Sequence, residues 1–188
     1  MEYKRRQYPL FSACGLNCGL CPRYHTDGIS KCPGCGGEGF SEKHPACGVL
    51  SCCQRHGIEY CCLCREYPCR KFEGADTADS FITHKNQLKD FEKAKSIGLD
   101  TYEAELDAKV GILKDLLTGF DDGRQKSFFC TAVNLLDLQD LKNVMQQIEA
   151  EIRHGDTLKE KSGTAARLLK TMAEKRDVSL QLRKKPKS

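Results

Sequence analysis

No apolar run in the 188 residues approaches the roughly 18–20 that a membrane-crossing helix needs. The opening stretch, MEYKRRQYPLFSACGL, has too short an apolar core for a secretion signal, so a soluble, cytoplasmic protein with no membrane partner is expected. A serine or cysteine triad signal, a phosphate loop and a dinucleotide fingerprint are also missing, which argues against hydrolase, nucleotidase and dehydrogenase chemistry. Residues 159–188 contain no Phe, Tyr or Trp, so the basic end of the chain lacks the stacking platform of a single-strand nucleic-acid binder. A zinc-finger helix with paired histidines is absent too. Beyond Cys69 the chain has a single cysteine, Cys130.

What is present is concentrated near the start. Twelve of the thirteen cysteines fall between Cys14 and Cys69. In a reducing compartment, dense cysteines at short regular spacings point to metal ligation rather than to disulfides. They form recognisable clusters: Cys14-x3-Cys18-x2-Cys21, Cys32-Pro-Gly-Cys35-Gly-Gly, Cys47-x4-Cys52 and Cys61-x2-Cys64-x4-Cys69. Two intervening residues let a tight turn aim both sulfurs at one ion, and glycines beside the second cysteine let backbone amides approach the thiolates. The ten candidate ligands are therefore Cys14, Cys18, Cys21, Cys32, Cys35, Cys47, Cys52, Cys61, Cys64 and Cys69.

Cys53 and Cys62 each adjoin a candidate ligand, and a neighbouring side chain usually points elsewhere, so they read as spare or core cysteines. Ten sulfurs fill two four-thiolate zinc sites with two left over, and all twelve would fill three. His25, His44 and His56 also lie in this stretch, although a lone histidine is more often a surface or hydrogen-bonded residue. The Cys14-x3-Cys18-x2-Cys21 spacing is that of radical S-adenosylmethionine enzymes, but no strand-rich barrel accompanies it. An iron–sulfur cluster of another kind remains the alternative to zinc, because four thiolates suit both.

The segment has many glycines and prolines and too little apolar surface to fold comfortably alone. Metal is expected to make up the deficit, since a structural zinc site supplies about 10–16 kcal/mol of apparent binding energy. Short helical turns are expected at 46–56, stopped by Gly57, and around 64–72.

Beyond Gly74 the periodicity becomes helical. Tyr102, Leu106, Val110, Leu113, Leu117 and Phe120 form one apolar stripe, with Asp100 and Glu103 resembling a capping box. Leu138, Leu141, Met145, Ile148 and Ile152 form a second, closed by Gly155. Further helices are expected at 80–96, 126–136 and 164–176. The fold class expected is a small α/irregular protein: a metal-stabilised cysteine-rich module at 10–73, an α-helical, antiparallel bundle-like domain at 74–177, and a basic disordered tail at 178–188.

Within DDGRQKSFFCTAVNLL, Lys126, Cys130 and Asn134 share one helical face, with Arg124 at its mouth. This is either a polar site facing the metal module or, as free cysteine is among the most buried residues, simply core around Cys130. Residues 73–158 carry ten bases and seventeen acids, and residues 159–188 ten bases and three acids. The basic end could touch nucleic acid or an anionic surface, but most charge runs are solvated faces.

The stretch CGLNCGLCPRYHTDGISKCPGC, followed by CGVLSCCQRHGIEYCCLCREYPC, resembles the prokaryotic cysteine-rich family known as domain of unknown function 3795. The likeness covers about residues 10–73, and the helical remainder looks like a long variant of the family's tail. It implies zinc binding and brings no established reaction, substrate or catalytic residue. The family's cysteines fall on the ten named above, with Cys53 and Cys62 additional to its pattern. The leading reading is a structural metal module that builds a surface for binding a macromolecule or ligand. A metal-thiolate redox enzyme using Cys53, Cys62 or Cys130, with a positive field from Arg65, Arg124 or Lys126, is the second. Nucleic-acid binding through the tail is the third.

Overall fold

The computed structural model describes residues 4–74 and 77–184. Among the described residues all regular structure is helical: α1 (Phe40–Lys43), α2 (Gly48–Arg55), α3 (Gln87–Ile97), α4 (Leu99–Gly119), α5 (Lys126–Leu135), α6 (Leu138–Glu151) and α7 (Leu158–Lys175), with short 3-10 turns between the cysteines. The described residues fall into two compact units, one within Met1–Leu106 and Leu182–Ser188, the other Asp107–Gln181. The division lies inside α4, well past the sequence boundary at residue 73.

The reason for that difference is aromatic. Phe11 is wholly buried and its ring centroid lies 5.1 Å from Tyr60, 5.4 Å from Phe91 and 4.6 Å from Tyr102. Phe91 comes from α3 and Tyr102 from the first turn of α4, so these helices supply apolar wall that the cysteine segment cannot provide for itself. Polar bonds follow the same path: Tyr102 donates to Asn17 Oδ1 (2.9 Å), Asn17 Nδ2 to Asp90 (2.8 Å) and Gln87 Nε2 to the Cys14 carbonyl (2.8 Å). Helical surface thus fills part of the deficit that the sequence assigns to metal alone.

Several expected boundaries move for local reasons. The helix expected from residue 80 starts at Gln87, because the Asp79 carboxylate takes the His84 amide (2.8 Å) and Thr83 Oγ1 takes that of Lys85 (3.2 Å). Such side-chain bonds hold the backbone in turns rather than a helix. The helical turn expected around 64–72 reduces to Arg70–Phe72. Asp100 lies inside α4 rather than capping it, and Glu103 accepts the Tyr60 hydroxyl instead of folding back as a capping box would. The capping box occurs at α7, between Thr157 and Glu160, so that helix starts well before residue 164.

In the second unit α7 packs against both α6 and α5, in keeping with the bundle-like expectation. Phe129, Ala132, Val133, Leu141, Val144, Ile148, Leu169 and Met172 are buried there. Every residue of α5 from Phe129 to Leu135 is buried, so it is a central helix rather than an amphipathic cover. Cys130 and Asn134 belong to this core, which is the plainer of the two readings of that face. Buried Asp140 receives Arg176 through Nε (2.8 Å) and Nη2 (2.6 Å), a bidentate pair that satisfies its charge.

The segment 178–188, expected to be disordered, is described as far as residue 184, and residues 185–188 lie outside the described residues. Arg183 is held by Asp79, whose side chain is 0% exposed, through its backbone N–H (2.7 Å) and Nη2 (2.8 Å). Burial alone raises the Asp79 pKa, but the Arg183 side chain and the Arg183 and His84 amides outweigh it and bring it down to about 2. A lowered carboxylate pKa stabilises the fold above the ordinary carboxylate value, and that stability is lost as pH falls toward the folded value. Arg183→Ala should therefore cost on the order of 1–2 kcal/mol at neutral pH, allowing for solvent around the partly exposed Arg183. In urea melts the gap from the wild type should hold down to about pH 4 and close toward pH 2; a gap that does not depend on pH counts against the pair.

Candidate metal centre

The cysteine segment is built from tight turns, and the backbone bonds that close them also set the sulfurs. The amides of Cys21 and Cys64 donate to the carbonyls of Cys18 (3.1 Å) and Cys61 (3.0 Å), closing the two Cys-x-x-Cys turns. Cys35 N donates to Pro9 O (2.9 Å) and Arg6 N to Gly36 O (3.0 Å), pinning the chain before the module alongside the Cys32–Cys35 turn. Cys61 N donates to Ala13 O (2.9 Å), tying the last cysteine cluster to the first.

None of the thirteen cysteines is in a disulfide, and their mutual influence sorts them into groups. The Cys18 thiol is raised well above its ordinary value, by burial first and then by Cys35, Cys14, Cys21 and Cys32. Cys14 is raised by burial and by Cys47, and Cys35 is pushed up to about 11 by burial, with Cys14 and Cys47 adding to it. Cys14, Cys18, Cys21, Cys32, Cys35 and Cys47 therefore form one neighbourhood. Cys61 is pushed up to about 11 by burial and by Cys69, Cys64 and Cys52. These four form a second. The ten candidates thus divide six and four, a grouping that spacing alone does not reveal.

Several of these sulfurs are met by hydrogen-bond donors. Burial raises the Cys21 thiol above its ordinary value, and the Arg23 amide, two residues on, works against that rise, as a donor to a thiolate does; the Tyr24 amide goes to the Cys21 carbonyl (3.0 Å). The Leu50 amide donates to Cys47 Sγ (3.5 Å) at the start of α2, and Cys14 Sγ lies 3.1 Å from Ser12 Oγ. The Ala13 amide serves Cys35. This donor set suits metal-bound thiolates, since each such bond disperses charge that a neutral thiol does not carry.

Cys53 and Cys62 are both buried; Cys53 lies among the second group and Cys62 does not. Cys53 is pushed up to about 12 by burial and by Cys61 and Cys52, and its thiol donates to Ala13 O (3.9 Å). Cys62 is pushed up to about 11 by burial, with Lys95 and Glu92 rather than another cysteine acting on it. The histidines are engaged elsewhere: His25 Nε2 lies 2.7 Å from Gly19 O, and His44 stacks on Phe40 with Nδ1 2.8 Å from Pro45 O. His56 is exposed at the end of α2.

Among the described residues no three or more His, Cys, Asp or Glu side chains are set so that they could hold a metal ion. Ligation therefore requires the sulfurs of a group to close in from where they stand. Mutual repulsion among buried thiolates opposes that approach, and a divalent cation between them reverses its sign.

Arg6 is a residue that the sequence did not single out. It is 5% exposed, the one buried base among the described residues. Nη1 donates to Phe11 O (2.8 Å) and Cys35 O (3.4 Å), and the guanidinium lies 4.9 Å over the Tyr60 ring. Nε is 2.9 Å from Glu59 Oε1, close enough for an ion pair but misaligned, so neither atom gains a hydrogen bond. Nη2 is buried without a hydrogen-bond partner.

Residues 10–74 match the family model described as "Protein of unknown function (DUF3795)", which bears out the resemblance read from the cysteine pattern. Comparison with curated proteins and with solved structures yields no match.

Proposed function

We propose that residues 10–74 are a structural metal module that holds zinc through cysteine thiolates and gives the chain a folded surface for binding. Cys52, Cys61, Cys64 and Cys69 would hold one ion, and the group of Cys14, Cys18, Cys21, Cys32, Cys35 and Cys47 would hold the other. The observation that carries this reading is the division of the sulfurs into two neighbourhoods, in which Cys35 and Cys61 are buried and the other eight half-buried, with amide donors supplied to the larger. Bound there, zinc would supply charge compensation and cross-linking of the turns, with no reacting position required. Ser12, Ala13, Leu16 and Leu50 would orient the ligand sulfurs, and the buried aromatics would keep water from them.

The thiol-enzyme alternative needs an accessible, acidic cysteine. Cys53, Cys62 and Cys130 are all buried, which favours the structural role. Metal analysis and a visible spectrum of anaerobically purified protein test the proposal. Two tightly held zinc ions per chain and a colourless solution are expected. A brown protein that bleaches in air would replace zinc by an iron–sulfur cluster, and metal-free protein with an intact fold would end the metal reading.

A further inference from the structure

We propose that the loop carrying Phe81, together with Arg23 and the returning end of the chain, is a surface that binds single-stranded nucleic acid, with one unpaired base stacked on the Phe81 ring. This rests on the binding role read above but not on its metal. Phe81 is 62% exposed, and it is the one aromatic among the large apolar side chains exposed in the described residues. Its loop is nonetheless fixed. Ile82 and Thr83 beside it are buried, Ser80 N donates to Ile82 O (3.2 Å), and the Asp79 carboxylate takes the His84 amide (2.8 Å). The ring is thus held out to solvent by a backbone anchored on both sides, a display that loses little freedom when a flat ligand docks on it.

In sequence the basic end of the chain has no aromatic of its own, since residues 159–188 contain none. The fold supplies one. Residues 182–184 return to the first unit, where Arg183 is clamped to Asp79: Asp79 N donates to Arg183 O (2.9 Å), and Arg183 donates to the carboxylate through its backbone N–H (2.7 Å) and Nη2 (2.8 Å). Phe81 stands two positions after Asp79, so the ring and the basic end meet although Arg183 lies 104 positions beyond Asp79. From the cysteine module, the Arg23 guanidinium lies 5.0 Å over the Phe81 ring, a cation–π contact of the kind that backs a stacked base. Lys85 closes the loop and Lys184 follows Arg183. The clamp's own carboxylate, on Asp79, is 0% exposed and so presents no acid to a ligand. Phosphates need cations of this kind, and unpaired bases need a flat apolar face. An anionic lipid surface shares the first need but takes a group of inserting apolar side chains. Phe81 is a single ring already faced by a guanidinium, which favours the base.

The test uses the full chain as purified, with zinc content measured on the same sample, and follows the anisotropy of labelled oligouridine and oligothymidine strands of about 12 nucleotides. Phe81→Ala should weaken binding about 5- to 150-fold, the loss of one stacked base. Phe81→Leu keeps apolar bulk without the ring and should lose nearly as much; both changes are at an exposed position and should leave the fold intact. Lys184→Gln should lower the slope of log affinity against log salt by about 0.7, the share of one phosphate contact. Vesicles of phosphatidylserine and phosphatidylcholine form the second arm. Strand binding that Phe81→Leu leaves unchanged would overturn the proposal, because charge alone would then account for it. Stronger binding to the vesicles than to the strands, retained by Phe81→Leu, would overturn it in favour of a lipid-facing surface. No binding of either strand at low salt would overturn it too, and a full zinc content in that sample would leave the metal reading standing. Metal-free, folded protein whose strand binding still depends on the ring would end the metal reading and support this one.

Discussion

Withdrawing metal with a strong chelator should unfold the first unit while the helical second unit keeps its structure. The cysteine segment closes few elements longer than a single turn, so little of its shape is held by repeating backbone bonds. Each structural zinc contributes about 10–16 kcal/mol of apparent binding energy, against a stability of about 5–15 kcal/mol for a whole domain. The helices from α5 to α7 have their own buried faces and no candidate ligand. Hydrogen exchange resolved by peptide should show protection falling through residues 4–74 and persisting in α5, α6 and α7. Unchanged protection of the cysteine segment in chelator would mean that its aromatic core suffices without metal.

Phe11→Ala carries the next largest effect. Its ring is 0% exposed and touches Tyr60, Phe91 and Tyr102, so truncation removes a side chain on which the module, the middle of α3 and the start of α4 converge. Losing a buried phenylalanine costs about 3–5 kcal/mol through transfer and cavity terms together. Each aromatic pair adds about 0.5–1.5 kcal/mol beyond its buried area. Phe11→Leu, which fills most of the space, should recover much of the loss. Because the chain has two units, the change must be read on the first alone. Denaturant dependence of cysteine alkylation does this, and a loss under about 1 kcal/mol would be too small for the burial described.

The parts of this molecule that the sequence reveals are those that depend on near neighbours. The stripes from Tyr102 to Phe120 and from Leu138 to Ile152 announce α4 and α6, because a helix places residues three and four apart on one face, although Leu116 and Val144 are buried where Leu117 and Met145 were expected, and Ile152 lies just past α6. Gly57, at positive φ, follows the end of α2 where expected, whereas α6 ends at Glu151 with an extended Ile152 and Gly155 falls in the turn beyond. The cysteine spacings likewise mark a module at residues 10–73, and the family model matches 10–74. The features that escaped notice depend on distant partners. Nothing near Phe91 or Tyr102 in sequence says that they pack against Phe11 of the cysteine segment. The division of ten cysteines into six and four arises from how the turns stack. Arg6 resembles any base in KRRQ until Gly36 and Cys35 close around it. The capping box at Thr157 and Glu160 was legible, since the residues stand at the right spacing, but the apolar stripe behind it begins later and drew the helix start with it.

The central claim is that cysteine sulfur bonded to metal holds the first unit together. X-ray absorption at the zinc edge of the purified, folded chain tests it most directly. A first shell of four sulfurs at about 2.3 Å is the predicted result. A shell of oxygen and nitrogen alone, or no zinc edge from a protein whose cysteine segment is folded, would contradict it.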